Sequence, residues 1–392
     1  MKILSVNAGS SSLKFTLFEM PEEKELISGV FEKIGLSDSF YSVKIDGEKT
    51  KKQVSLPSHK EAFEILMKEL IDNKIIEDYS EIKGIGHRVA QGGAYFDKSV
   101  LATPENIDIV SKLSQIAPLH NPAAVIGINA AKTVVPDAVQ TLVFDTSFHQ
   151  TIDEVNYMYA VPYEWYTKYN VRKYGFHGTS HKYVSMKANE ILGRTDTKLI
   201  TCHIGNGASI SAVLNGKCID TSMGLTPNAG LMMGTRCGDI DASIVSYISE
   251  CENLSATEVN NKLNKESGLL GISGVSSDSR DVEDGIARGD ERCVLAQKMY
   301  VKKIVDYIAA YYAELGGCDA IIFTAGVGEN SITTRAQILE KLSCFGVKLD
   351  SERNDVRGKV QLITADNSKI PAYVIPTNEE LMIATDTYNL TK

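Results

Sequence analysis

The segment KILSVNAGSSSLKFTLF, beginning at Lys2, returns half a chain later as KLITCHIGNGASISAVL, beginning at Lys198. Apolar positions match along both copies, and the second reads as having one extra residue in its turn. Each runs from an apolar or β-branched strand through a Gly/Ser/Asn turn into an alternating return strand, the pattern of a β-hairpin with a wide polar loop. Two such units so far apart reflect either a chance likeness of hairpins or a duplicated fold with one hairpin in each half. Further strands favour duplication. EIKGIGHRV and CDAIIFTAG run into Gly-rich turns, one in each half, and TLVFDTSFH supplies a strand ending at Asp145.

Helical periodicity is clearest from His59 in HKEAFEILMKELIDN and from Cys293 in CVLAQKMYVKKIVDYIAAYYAEL, where apolar positions recur every three to four residues. Mixed strands and helices of this kind give an α/β layered architecture. At 392 residues the chain exceeds the size at which one core stops growing, so two domains with a cleft between them are expected. No Pro/Ser/Gly-rich tract separates the halves, and the junction is expected between Gln150 and Tyr163.

A formal charge of −9 excludes a broad nucleic-acid surface, because polyanion affinity rests on Lys and Arg. No apolar run approaches the roughly 18 to 20 residues that span a bilayer, and Asn7 breaks the opening stretch. A cytoplasmic protein without a membrane partner is expected. Seven cysteines form no CxxC pair and read as reduced thiols, with Cys202 and Cys237 as small packing residues.

Two nucleotide signatures are absent. The turn at Gly9 lacks the Gly-Lys-Ser/Thr ending of a Walker A loop, and Gly205-Asn206-Gly207 lacks the third glycine of a dinucleotide fingerprint. Glycines and small hydroxyl residues still let backbone N–H groups converge on an anion, so NAGSSSLK and HIGNGAS read as two phosphate cradles. Lys14 adds a positive charge to the first and Asn7 a neutral oxygen. GVGEN, from Gly326 to Asn330, reads as a third Gly-rich turn beside a base or ribose. Phosphoryl transfer needs charge neutralisation and a placed acceptor, for which Arg88, Arg236, His177, Asp145 and Glu379 are available. Taken singly, each also fits a bland role: a solvated arginine, a satisfied histidine, a helix-capping acid.

Together, NAGSSSLK, GHRVAQGG, APLHNP, FDTSFH, VRKYGFHGTSH, HIGNGAS, GLTPNAGLMMGTRCGDID, SDSRD, FTAGVGENS and PTNEELMIATDT resemble the acetate kinases, the acetokinase family, along essentially the whole chain. The resemblance implies a two-domain actin-like ATPase (ribonuclease H-like) fold with a duplicated core and an interdomain cleft. The first domain would be 1–150, completed by a C-terminal helix 379–392. The second, 151–378, would bind nucleotide and form a homodimer.

The implied activity is reversible Mg²⁺-dependent phosphoryl transfer between ATP and acetate, giving acetyl phosphate and ADP by direct in-line attack, with Mn²⁺ as a substitute ion. By resemblance, Asn7 and Glu379 form the metal site. Ser10, Ser12, Lys14, His203, Ile204, Gly205, Asn206 and Gly207 contact phosphates. Asp278, Ser279, Arg280, Gly326, Val327, Gly328, Glu329 and Asn330 form the adenosine pocket. Arg88 binds the acetate carboxylate, and Ala90, Leu119, Phe176 and Pro227 line the methyl pocket. The family commonly has a second Val at the position of Ala90 and a His at that of Gln91. Arg88, Arg236 and His177 stabilise the moving group. Asp145 matches the family's acid/base; because acetate is already ionised at neutral pH, it is read as orienting an Arg or Mg²⁺. The other readings are a kinase of another short-chain acid and a non-catalytic actin-like ATP-binding protein.

Overall fold

The computed structural model describes residues 1–118 and 120–392. The chain forms two compact units, residues 1–148 with 378–392, and residues 149–377.

In the first unit the strands are β1 (Lys2–Ala8), β2 (Ser12–Glu19), β3 (Lys24–Glu32), β4 (Phe40–Ile45), β5 (Glu48–Gln53), β6 (Ile82–Val89), β7 (Val100–Leu101) and β8 (Val139–Phe144). They form one sheet in the order β5-β4-β3-β2-β1-β6-β8-β7. The β1–β2 hairpin is antiparallel, while β1 pairs parallel with β6, and β6 with β8. Both faces are covered, and β1 and β6 are buried along most of their length. Helix His59–Asp72 buries Phe63, Leu66 and Leu70 on one face.

The C-terminal helix Glu379–Thr391 lies against the same sheet. A Cβ on Gly86 would strike Thr387 and Ile383, and one on Gly84 would strike Thr387 and Thr391. The glycines of EIKGIGHRV are therefore a requirement of close helix-on-strand approach. The contact is sealed by a hydrogen bond of 2.7 Å between the Thr141 and Thr387 hydroxyls.

The second unit holds β9 (Lys198–Ile204), β10 (Ala208–Leu214), β11 (Lys217–Thr221), β12 (Ala320–Thr324), β13 (Gln361–Leu362) and β14 (Ala372–Val374), in the order β11-β10-β9-β12-β14-β13. Its hairpin β9–β10 is antiparallel, and β9 pairs parallel with β12, and β12 with β14. The path β3-β2-β1-β6-β8 of the first unit is thus repeated as β11-β10-β9-β12-β14, the duplication the echo announces. Helix Glu291–Glu314 packs over this sheet through Ala296, Tyr300, Ile304 and Ile308.

The count of turn residues is the reverse of the sequence reading. The last pair of the first hairpin, Ala8 with Leu13, encloses Gly9 to Ser12, whereas Ile204 with Ala208 encloses only Gly205 to Gly207. The extra residue belongs to the first turn, because ladder register and not letter alignment decides where pairing stops. GVGEN also departs from the expected turn: residues Ala325–Asn330 form a short helix immediately after β12. Ala325 adopts a left-handed φ of 65°. Glu329 folds back so that its Oε1 accepts from the Ala325 N–H at 2.8 Å and the Thr377 N–H at 3.1 Å, closing the first turn.

Among the described residues no helix is long and apolar enough to cross a membrane.

Candidate functional site

The first unit gathers Asn7, Gly9, Ser12, Lys14, Glu32, Arg88, Ala90 and His120 around a cavity of about 400 Å³. Parallel pairing of β6 with β8 sets Arg88 beside the end of β8, where Asp145 follows. Asp145 is 1% exposed and takes the guanidinium bidentately, from Nε at 2.9 Å and from Nη2 at 2.6 Å. The carboxylate raises the Arg88 pKa above its ordinary value. Nη1 is left over, so the fork keeps one edge for a carboxylate brought by a ligand.

Lys14 and Glu380 form an ion pair. Burial pushes the Glu379 carboxyl up to about 7 against the pull of the Arg88 guanidinium, with Asp145 and Glu380 adding to the rise. Ser10 is exposed and lies outside the cavity lining. The turn itself is anchored by His59, whose Nε2 donates to Gly9 O at 2.8 Å, a residue sequence reasoning passed over as part of a packing helix. Leu119 lies outside the described residues.

Among the described residues no group of three or more His, Cys, Asp or Glu side chains is arranged to hold a metal. Asn7 and Glu379, the pair expected from the resemblance to hold Mg²⁺, would offer a sparse, all-oxygen donor set. That suits Mg²⁺, which prefers few protein oxygens and keeps waters or phosphate oxygens for the rest of its shell. Burial first, and then the neighbouring Asp145 and Glu380, disfavour the ionised form of Glu379, and a cation would favour it.

The second unit brings His177, His203, Gly207 and Arg236 together. A Cβ on Gly207 would lie 3.3 Å from Arg236 Nη1 and 3.7 Å from the His177 ring, so a side chain there would crowd this corner. His177 and His203 stack with centroids 4.0 Å apart. His177 caps helix Gly178–Leu192 at a left-handed φ of 58°, a strained conformation for a non-glycine residue. Arg236 is half-buried. Its Nη1 reaches only the Pro227 carbonyl at 3.3 Å and the Met233 sulfur at 3.9 Å, and burial lowers its pKa. Among the described residues no carboxylate pairs with it. Asn206 clamps the turn by accepting from the Gly234 N–H at 3.0 Å, and a side chain at 234 would strike Asn206.

Beside this corner lies a cavity of about 460 Å³ lined by Gly205, Asn206, Asp278, Ser279, Arg280, Gly326, Val327 and Asn330, all anticipated from sequence, and by Leu269, Ser277, Glu283, Tyr300, Ser331 and Arg357, which were not. Tyr300 is masked in the sequence by the packing periodicity of its helix, and Arg357 by its irregular surroundings. Other anticipated residues sit elsewhere. Ile204 is 1% exposed and belongs to the core. The Gly328 carbonyl accepts from Nη1 of the fully buried Arg335 at 3.0 Å, and Glu329 is spent on capping its own helix. Arg280, although it lines the cavity, pairs with Asp278 and leaves its side chain 86% exposed. Phe176 is buried in the second unit's core, and its carbonyl accepts from His149 at 2.9 Å.

Two Gly-rich turns, each with a cation at its side and one next to a nucleotide-sized cavity, are the parts of an ATP-dependent phosphotransferase on a two-domain actin-like ATPase fold. The Acetokinase family model matches residues 2–385. The acetate kinase of Bacillus subtilis (strain 168) is 51% identical over 393 residues, covering 100% of both chains. Among solved structures, acetate kinase from Porphyromonas gingivalis aligns with a TM-score of 0.95 at 47% identity, covering 100% of both chains. A propionate kinase from Francisella tularensis subsp. tularensis SCHU S4 aligns at 0.94 and 44%, covering 99% of both. The chain belongs to the acetokinase family. It is a kinase, with acetate kinase activity and ATP and ADP as substrates.

Proposed function

We propose that the chain transfers a phosphoryl group directly, in line, between ATP and acetate, with the second unit's residues holding the donor and the first unit's the acceptor. The observation that carries this reading is Arg236: a half-buried guanidinium without a carboxylate partner, packed against the Gly207 turn, where a side chain would crowd it. Such a charge is costly unless an anion completes it. The γ-phosphoryl group at the Gly205–Gly207 turn meets both Arg236 and His177, whose donors stabilise charge on its equatorial oxygens as it becomes planar. The cavity lined by Asp278, Ser279, Gly326 and Asn330 takes the adenosine.

On the acceptor side the free Nη1 of Arg88 takes the acetate carboxylate, with Ala90 beside its methyl group. Asp145 is committed to the other edge of that guanidinium, which supports an orienting role over that of a base. Asn7 and Glu379 would hold Mg²⁺, which supplies charge neutralisation on the phosphates. Replacing Arg236 by Ala is expected to lower kcat by roughly 10³-fold with the KM for ATP little changed. Retention of more than half of the wild-type kcat would remove Arg236 from the reaction.

We also read the chain as a cytoplasmic homodimer. The free state of all seven cysteines supports a reducing compartment. Helix Ser243–Glu252 supports the dimer: it buries none of its residues although it carries Ile244, Val245, Tyr247 and Ile248. Sedimentation at micromolar concentration is expected to give twice the chain mass, with Tyr247→Glu shifting it to the monomer; a monomeric wild type would refute this.

A further inference from the structure

Behind His177 runs a line of buried polar side chains that lead away from the phosphate corner. His177 Nδ1 lies 2.8 Å from Ser209 Oγ, and Ser209 Oγ lies 2.8 Å from His181 Nε2. His181 Nδ1 in turn lies 2.7 Å from Thr201 Oγ1. Ser209, His181 and Thr201 are each 0% exposed. β9 contributes Thr201, β10 contributes Ser209, and one helix contributes His181 with His177 at its N-cap, so sheet register and helix entry fix the chain of contacts.

The protons in this line run in one of two directions, and distance decides which. If His181 Nδ1–H donated to Thr201, the threonine proton would need another acceptor. The Ser211 carbonyl, at 3.5 Å, is too far for an ordinary O–H···O bond. Thr201 therefore donates to His181 Nδ1. Burial holds His181 neutral, its pKa well below the usual histidine value, so its single proton sits on Nε2 and is donated to Ser209. The Ser209 hydroxyl then donates to His177 Nδ1.

We infer that Thr201, His181 and Ser209 are positioning residues that hold His177 in the Nε2–H tautomer, so that the ring offers the phosphoryl corner a hydrogen-bond donor while still neutral. With Nδ1 fixed by a donor behind it, the ring's other nitrogen must carry the proton. The opposite tautomer would present a lone pair to a phosphate oxygen. The inference rests on the proposed role of His177, and the test separates the two.

The wild-type chain with ¹⁵N-labelled histidine rings, the His177 signals assigned by their loss in His177→Gln, is expected to show His177 protonated at Nε2 at mildly alkaline pH. Thr201→Val and Ser209→Ala are expected to mix its tautomers and lower kcat about tenfold, with the KM for ATP and for acetate within about twofold of wild type, since a loosened donor costs less than a deleted one. Thr201→Ser, which keeps the hydroxyl, is expected to restore both spectrum and kcat. An Nδ1–H signal in the wild type overturns the inference whatever the variants do, as does an unchanged spectrum and kcat in a folded Thr201→Val. If that variant fails to fold, the wild-type spectrum and Ser209→Ala decide. A His177→Gln enzyme of normal kcat would instead refute the role of His177 in transfer, leaving the tautomer to the spectrum.

Discussion

His87 shows how a buried polar residue of the first sheet ties stability to pH. It is 2% exposed, with Nε2 donating to Gln140 Oε1 at 2.6 Å, and burial lowers its pKa to about 4 from 6.5, with Lys132 pressing the same way and Gln140 opposing. Between those values the unfolded chain binds more protons than the folded one, so stability falls as pH drops from 6.5 towards 4. The loss attributable to this one group is on the order of 2 kcal/mol by about pH 5. Urea unfolding across this range is expected to show a shallower pH dependence in His87→Gln than in wild type; equal slopes would mean that His87 does not carry the effect. At this scale the sequence was informative about chemistry and silent about geometry. Arg88, Arg236 and His177 could be nominated from type and setting. Nothing in the letters shows that Asp145 occupies one edge of Arg88, or that His177 takes a left-handed backbone, since both follow from strand register and helix entry.

Among the elements, the strands were the most legible, because period-two and fully apolar runs are written directly in residue type. Turns were less so: the hairpin with the extra residue is the first, and GVGEN became a helix because Glu329 caps it. The contact between β6 and helix Glu379–Thr391 gives the sharpest test at this scale. Gly86→Ala places a methyl group against Thr387 and Ile383, and overpacking of this kind costs about 1–3 kcal/mol. Because the helix begins at Glu379, the same change is expected to raise the Mg²⁺ concentration needed for half-maximal activity, while the KM for acetate moves less. A variant as stable as wild type by urea unfolding would show that the helix can withdraw without cost.

For the molecule as a whole, a duplicated sheet gives each unit a Gly-rich turn at the end of its first strand, and the two turns have diverged. The first sits with Arg88, Asp145 and the cavity proposed for the acid; the second sits with Arg236, His177 and the cavity proposed for the nucleoside. An ATP-binding protein that only gripped partners would have no use for the acceptor set, and this division of labour is the central claim. It is tested most directly by trapping acyl phosphate as the hydroxamate, with ATP, Mg²⁺ and acetate, propionate or butyrate supplied in turn. The account predicts acetyl hydroxamate in amounts matching the ADP formed, none without ATP or Mg²⁺, and loss of both products in Arg236→Ala. ATP hydrolysis that is indifferent to carboxylate, with no hydroxamate formed, would contradict it.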